Sequence, residues 1–319
     1  MPRLLNRAAS AAVAASLLLA ACTSAAPTAA PAVLRLALLP VLDTLPAHVA
    51  QAQGYFAANG LQVEIVPVGS APERDQLLAA GQVDGVMNEI LGPILNNQAG
   101  VQVQVVRLAR SASGEYPLFR IVAGADSGVS APGDLAGQTL GVSTGTVIEY
   151  VADRLLAAEG VDPASVEYTA VPAISDRLAL LQNNQLAAAV LPDPASSSAL
   201  ASGGRVVLDD MRHPEYGYSV WTFRQAVIDQ NPEAVRAFLK AIEQAVADLN
   251  ADGTKWDAVL SANNLLPPPL IGKYKLPQFP TAGVPTAAQY ADAAAWLKSK
   301  GLLDKDVPYA DTVNGGLLP

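Results

Sequence analysis

One short motif matches the sequence pattern of a serine nucleophile. Residues 141–145 (GVSTG) fit G-x-S-x-G, which in α/β-hydrolases places the serine on a sharp turn between a strand and a helix. Ser143 is followed along the chain by Asp193 or Asp209 and then by His213, which is the order Ser, Asp, His. A serine hydrolase is therefore an alternative function. Two features argue against a hydrolase. A long stretch of chain follows His213, where a hydrolase has little, and Ser143 lies at the start of the second of two small α/β units, whereas a hydrolase serine lies in one large sheet.

A larger group of polar and aromatic residues is predicted at strand ends and hinges, where ligands bind in open α/β sheets. Three of them are acidic, and a carboxylate that loses water when a cleft closes needs a hydrogen-bond donor. The ligand-binding candidates are Asp43, Thr44, Ser70, Asn88, Glu89, Arg110, Ser143, Thr144, Thr146, Tyr150, Asp193 and Trp221. Thr44, Ser70 and Thr146 have an alternative role as helix N-caps, and Tyr150 as a core residue of its helix.

These candidates depend on an alternation of short β-branched runs with helical runs. Such strand–helix–strand units predict a mostly parallel sheet with helices on both faces. Glycines at 60 and 81 stand where left-handed helix ends require them. The first unit is predicted to contain strands at 34–39, 61–68, 83–87 and 101–108, and helices at 48–59 and 73–80.

The same pattern occurs a second time. A shift of 103 residues places Val63-Glu64 on Val166-Glu167 and Leu77-Leu78 on Leu180-Leu181, which predicts two similar α/β lobes. Two strand-like runs, 116–124 and 216–223, are predicted to cross between the lobes. The second unit is predicted to contain strands at 139–142, 166–171 and 186–191, and helices at 146–158 and 176–182.

Two helices with clear starting signals are predicted in the C-terminal part of the chain. Asn231 is an N-cap followed by Pro232 at the first helical position, where its missing N–H is not needed. Thr286 and Gln289 have the spacing of a capping box, and Gly301 ends that helix. These helices complete the plan of a two-lobed clamshell.

Composition excludes several classes of function. The 319 residues are 51% hydrophobic, so the chain can bury proper cores. A net charge of −9 makes general nucleic-acid binding unfavourable, because phosphate contacts need clustered Lys and Arg. One cysteine and two histidines exclude disulfide frameworks, cysteine-based zinc sites, iron–sulfur clusters and His-rich metal centres. We expect neither a metal nor a cofactor.

The first residues are typical of a lipoprotein export signal. Arg3 and Arg7 precede an apolar stretch at 8–19 that is short for a membrane span. Residues 19–22 (LAAC) resemble a bacterial lipoprotein box, and Cys22 is the only cysteine. We therefore expect a signal peptide at 1–21 and lipid on Cys22. The alternative is a short secretory signal beside an unrelated cysteine.

The chain that follows Cys22 is rich in Ala, Pro, Ser and Thr. Residues 22–33 have no periodic apolar face to bury, which predicts a flexible tether between the lipid and the folded body.

Four phrases of the chain carry a resemblance to a known family. They are QGYFAANGLQVEIVP (53–67), LLAAGQVDGVM (77–87), DLAGQTLGVSTGT (134–146) and NPEAVRAFLKAI (231–242). Together they resemble the periplasmic substrate-binding proteins of ABC importers, in the group that handles sulfonates, taurine, nitrate and thiamine-pyrimidine precursors. The likeness runs from about Leu34 to Tyr309.

This resemblance implies a fold and a function. The expected fold is α/β, a two-lobed Venus-flytrap of type II with two crossover segments, with lobe 1 at 34–118 plus 224–319 and lobe 2 at 119–223. The expected function is capture of a small molecule without catalysis and its delivery to an ABC permease and its ATPase. We expect a monomer on the extracytoplasmic face of the membrane, held by its lipid anchor. An enzyme built on the same clamshell is a further alternative.

The acidic residues among the candidates indicate which class of ligand the cleft would bind. A bare anion such as nitrate needs backbone N–H groups, hydroxyls and arginine, with few acids nearby. Asp43, Glu89 and Asp193, with Tyr150 and Trp221 as stacking faces, instead favour a nitrogen heterocycle such as a thiamine pyrimidine or a flavin-type vitamin precursor. Taurine, another sulfonate or nitrate is the second choice.

The lipoprotein box leads to a first test. We expect the mature protein to begin at Cys22, to carry lipid on that thiol and to partition into detergent. Mass spectrometry of protein purified from its own membranes checks this expectation, with Cys22→Ala as the variant that stays unacylated. A mature N-terminus at any other residue contradicts it.

Overall fold

The computed structural model describes residues 32–113 and 115–319. The predicted signal peptide, Cys22 and most of the predicted tether lie outside the described residues. The first strand begins at Ala32, so the last two residues assigned to the tether pair in a sheet instead. None of the helices described here is long and apolar enough to cross a membrane.

The first sheet has five strands in the order β2-β1-β3-β10-β4. The strands β2, β1 and β3 are parallel, and β10 runs antiparallel to both of its neighbours. These strands are β1 (Ala32–Leu38), β2 (Leu61–Pro67), β3 (Gly85–Asn88), β4 (Val103–Ser111) and β10 (Tyr218–Arg224).

The second sheet repeats this arrangement with the order β7-β6-β8-β5-β9. Its strands β7, β6 and β8 are parallel, and β5 is antiparallel to β8 and β9. The strands are β5 (Phe119–Ala123), β6 (Thr139–Val142), β7 (Glu167–Ala170), β8 (Ala188–Pro192) and β9 (Arg205–Asp209). The two sheets therefore follow one topology, as the shift of 103 residues predicts.

The strands β5 and β10 are the ones that follow each passage of the chain between the sheets. In each sheet the strand that has just crossed lies antiparallel beside the third parallel strand, β8 for β5 and β3 for β10. β10 belongs to the first sheet, whereas the predicted boundary at residue 223 put most of it in lobe 2.

Helices connect and cover the strands. They are α1 (Leu45–Ala52), α2 (Tyr55–Ala58), α3 (Ala71–Ala79), α4 (Leu91–Asn96), α5 (Val147–Ala158), α6 (Ile174–Gln182), α7 (Ala195–Ala201), α8 (Gln225–Gln230), α9 (Pro232–Ala251), α10 (Asp257–Ala262), α11 (Ala287–Ser299) and α12 (Tyr309–Thr312).

The predicted helix starts are confirmed where side-chain caps were recognised. Asn231 accepts from the Ala234 N–H at 3.1 Å, and Thr286 and Gln289 form the capping box of α11. The helix predicted at 48–59 is instead two helices, because Gly54 adopts φ +72° between α1 and α2. The helices α4, α7, α8, α10 and α12 and the strand β9 were not predicted, since each has seven residues or fewer and so shows little periodicity.

Two apolar clusters form most of the core. In the first, the long helix α9 packs on the first sheet, where Phe238 lies 5.1 Å from Trp221 and 5.6 Å from Phe56 between ring centres. The second surrounds α5 and also contains Tyr290 and Trp296 of α11. The helix α11 therefore packs against α5 of the second α/β unit, and it also contacts α4 of the first unit.

Burial of His48 on α1 leads to a prediction about acid stability. Burial lowers the pKa of His48 to about 4, so between pH 6.5 and 4 the unfolded chain binds a proton that the folded chain does not. This group therefore removes stability as the pH falls through that range, by about 3 kcal/mol in total.

The test compares the parent with His48→Gln by urea unfolding at several pH values. We expect the free energy of unfolding of the parent, relative to the variant, to fall by about 3 kcal/mol between pH 7.5 and 4. A relative value that stays constant across this range contradicts a neutral buried imidazole.

Candidate functional site

A cavity lies between the two sheets, at the carboxyl ends of their parallel strands. Its volume is about 40 Å³. Three of the predicted candidates, Asp43, Glu89 and Ser143, line it. The complete lining consists of Leu39, Val41, Asp43, Ala71, Glu89, Phe119, Ser143, Val147, Ile148, Pro172, Ile174, Arg177 and Pro192.

Asp43 belongs to an ion network that joins the two sheets. It lies in a short 3₁₀ turn after β1, and Arg110 at the end of β4 donates to its Oδ1 at 3.3 Å. The other terminal nitrogen of Arg110 lies 3.8 Å from Asp193 Oδ2, beyond the end of β8. Arg120 on β5 binds the other oxygen of Asp193 at 3.0 Å, and the Tyr274 hydroxyl donates to Asp193 as well.

All the acids of this network are buried. The side chain of Asp193 is 3% exposed and that of Arg110 is 1% exposed. Water therefore screens the network little, and each charge depends on its partners. Asp193 and Arg110 are occupied by each other and act between the sheets, while Asp43 keeps its Oδ2 without a hydrogen bond from the described residues.

Glu89 follows β3 on the first-sheet wall of the cavity. Its Oε2 accepts from Arg74 at 3.0 Å, and Arg74 on α3 also binds Asp75 and the Met87 carbonyl. Burial raises the pKa of Glu89, and the Arg74 guanidinium opposes that rise. The first-sheet wall therefore presents two carboxylates, each with one oxygen held by an arginine.

Ser143 lies on the opposite wall, where β6 leads into α5. It is 2% exposed, and its Oγ has no hydrogen-bond partner among the described residues. Thr146 caps α5 by accepting from the Ile148 N–H at 3.3 Å and donates to the Ser143 carbonyl. Thr144 is exposed.

Three further candidates of the first unit hold the backbone or the sheet in place. Thr44 donates to the Val41 carbonyl at 2.8 Å, and Ser70 caps α3 by accepting from the Glu73 N–H. Asn88 is fully buried and accepts a hydrogen bond from Thr222 at 2.6 Å.

The two predicted stacking residues lie in apolar cores. Trp221 is fully buried in β10 against Phe238, and Tyr150 packs edge-on to Trp296 while its hydroxyl donates to Asp292 at 2.6 Å. Neither ring lines the cavity, because Trp221 packs against α9 and Tyr150 packs against α11. Phe119 is the one aromatic side chain among the described residues that line it.

The geometry does not assemble the alternative serine hydrolase. His213 contacts Glu215 at 3.4 Å and stacks on Tyr216, and no described hydrogen bond joins it to Ser143. Asp193 is bound by arginines instead of a histidine. Across residues 32–113 and 115–319, no group of three or more His, Cys, Asp or Glu side chains is placed to hold a metal ion.

Arg74, Arg120, Phe119, Tyr274 and Arg177 were missed by the sequence analysis. Arg177 on α6 lines the cavity and is fully buried. The signal for the two helix arginines was present, because the shift of 103 residues that aligns the two units places Arg74 on Arg177.

Comparisons with known proteins agree with the predicted resemblance and fold. A family model described as NMT1/THI5 like matches residues 42–254. A Haemophilus influenzae protein named for thiamine biosynthesis is 28% identical over 271 residues, which cover 81% of this chain and 83% of that protein. The taurine-binding periplasmic protein of Escherichia coli is 27% identical over 219 residues, which cover 66% of this chain and 65% of that protein.

Solved structures share the fold. The alkanesulfonate-binding protein of Xanthomonas axonopodis pv. citri, bound to MOPS, superposes with a TM-score of 0.75 at 19% identity and covers 90% of this chain and 99% of its own. A desulfurization enzyme superposes with a TM-score of 0.69 at 16% identity and covers 90% and 97%. The predicted two-lobed α/β fold is confirmed, and enzymes as well as binding proteins use it.

The buried network between the sheets leads to a stability prediction. Asp193→Asn removes the carboxylate shared by Arg110 and Arg120, and we expect the free energy of unfolding to fall by about 3–5 kcal/mol. The matched control is Asp306→Asn, since Asp306 is 89% exposed beside Lys298 and should contribute less than about 1 kcal/mol. Urea unfolding measures both variants, and equal losses would contradict a buried network.

Proposed function

The chain belongs to the NMT1/THI5-like family, and from this premise we propose that it is the extracytoplasmic solute-binding component of an ABC importer. The observation that carries the proposal is the cavity between two sheets of equal topology, lined by strand ends from both. The relatives named for taurine and alkanesulfonate binding support it. The solute is held between the sheets and delivered to a permease and its ATPase.

The hydrogen bonds and ion pairs of the polar side chains at the cavity support binding of a solute without catalysis. A hydrolase needs a base within hydrogen-bond reach of its nucleophile, and Ser143 has none among the described residues. The acids at the cavity are in ion pairs with arginines, which holds them in place as fixed binding groups.

The side chains that line the cavity indicate the chemical class of the solute. Asp43 and Glu89 favour a molecule with N–H donors, which supports the amine or amino-heterocycle component of the sequence-based expectation. The stacking argument for a heterocycle is weaker, because Phe119 is the one aromatic lining residue described. A cavity volume of about 40 Å³ favours a small solute over a flavin.

The lipid anchor on Cys22 and a monomeric state are also part of the proposal. An anchor keeps a captured solute near the permease that accepts it. The lipoprotein box at residues 19–22 supports this arrangement.

Capture and hydrolysis predict different results with purified protein. We expect denaturation to release a small molecule at about one per chain, detected by mass spectrometry. Adding that molecule back should raise the melting temperature, because a ligand at 100 times its Kd stabilises the folded state by about 2.7 kcal/mol.

An esterase screen is the counter-test, with Ser143→Ala as control. Ester turnover in the parent that disappears in this variant would establish the hydrolase instead. Release of no solute, together with no thermal shift in a metabolite screen, would contradict capture.

A further inference from the structure

Two buried arginines occupy equivalent places in the two α/β units. Arg74 on α3 and Arg177 on α6 are separated by the same 103 residues that relate the units. Arg74 donates to the carbonyl of Met87 at 3.1 Å, and Arg177 donates to the carbonyl of Val190 at 3.0 Å. Met87 and Val190 are themselves 103 residues apart, so the two arginines bind the same point of each fold.

The two arginines differ in the acidic side chains that neutralise their charge. Arg74 is paired with Asp75 and Glu89, at 2.8 and 3.0 Å. At the positions equivalent to Asp75 and Glu89, the second unit has Leu178 and Pro192. The first arginine is therefore compensated by carboxylates that the second one lacks.

Arg177 is accordingly a buried cation without a described counter-ion. Its Nη1 donates to the Val171 and Pro172 carbonyls at 2.7 and 3.0 Å and its Nε to Val190, while no described hydrogen bond involves Nη2. Burial lowers the pKa of Arg177 to about 10, which still leaves the guanidinium charged at neutral pH. Removing a charge from water without an opposite charge is unfavourable.

A second observation on the same wall also points to a ligand. Ser143 lines the cavity with Arg177, and its buried Oγ has no described partner. Buried hydroxyls are nearly always hydrogen-bonded in folded proteins, so an unpartnered one at a cavity calls for an acceptor.

We propose that Arg177 and Ser143 form an anion subsite on the second-sheet wall, opposite the carboxylates of Asp43 and Glu89. The inference rests on the proposed function, and it makes the solute a small zwitterion. Its oxyanion, a carboxylate or a sulfonate, binds the planar guanidinium and the hydroxyl. Its protonated amine binds the first-sheet carboxylates, and closure of the sheets is thereby coupled to charge at both ends of one molecule.

Isothermal titration with simple probes tests whether the cavity binds an anion on one wall and a cation on the other. Taurine and β-alanine carry both charges, ethanesulfonate and propionate only the anion, and ethylamine only the cation. In the parent, we expect at least one of the two zwitterions to bind at least about tenfold more tightly than its one-charge analogues, since hydrogen bonds to charged groups exceed the increment of about 1.4 kcal/mol per tenfold. Comparison of taurine with β-alanine distinguishes a sulfonate subsite from a carboxylate subsite.

Variants assign the subsite to its residues. We expect Arg177→Gln to weaken zwitterion binding at least about tenfold and to leave ethylamine binding unchanged. The matched control is Arg212→Gln, whose side chain is 80% exposed and which should bind like the parent. If Arg177→Gln does not fold, Ser143→Ala carries the test, because it removes only an unpartnered hydroxyl and should lower zwitterion affinity without lowering the melting temperature.

The outcomes separate this inference from solute capture itself. Unchanged zwitterion affinity in Arg177→Gln, or a released solute without an anionic group, overturns the subsite and leaves the binding protein standing. A released solute that carries both charges and is lost from Arg177→Gln supports it. A parent that releases nothing, binds none of these probes and shows no thermal shift in the metabolite screen overturns both.

Discussion

The shared carboxylate of Asp193 is the interaction on which the arrangement of the two sheets depends. It accepts from Arg120 on the second sheet and lies 3.8 Å from Arg110 on the first. Arg110 in turn reaches Asp43 at the rim of the cavity. Because these groups are buried, separating the sheets exposes or unpairs charges, and bringing them together satisfies them. The cavity wall and the contact between the sheets are therefore parts of one electrostatic network.

The chain connections limit how the sheets can move. Asp210 lies beyond β9, shortly before the second crossing, and its carboxylate accepts the N–H groups of Leu118 and Phe119 at the first crossing, at 2.9 and 3.1 Å. The helix α11 is also bound to the second unit, where Asp292 accepts from Tyr150 and Trp296 donates to Asp153. The two crossings are thus tied side by side, which restricts independent movement of the two sheets.

Much of the fold was predictable because its signals are local. Caps such as Asn231 and Thr286 mark helix starts within a few residues, and the repeat follows from the order of the runs. Trp221 was misplaced for a physical reason: β10 lies inside a five-stranded sheet and is buried on both faces, so alternation does not indicate which face a residue occupies. The pairing of Arg110 with Asp193 joins residues far apart in sequence, and no local pattern encodes it.

Because the two α/β units share one topology, the side chains that differ between them indicate what is specific to each wall of the cavity. Arg74 and Arg177 hold the same strand end in each unit, so the backbone role of the arginine is common to both and does not explain what differs. What differs is the side chains beside them, carboxylates in the first unit and Leu178 and Pro192 in the second. This difference between the units places negative charge on the first-sheet wall of the cavity and leaves positive charge on the second-sheet wall. The polarity of the cavity thus follows from different neighbours beside an arginine that both units share, within one fold that positions it twice.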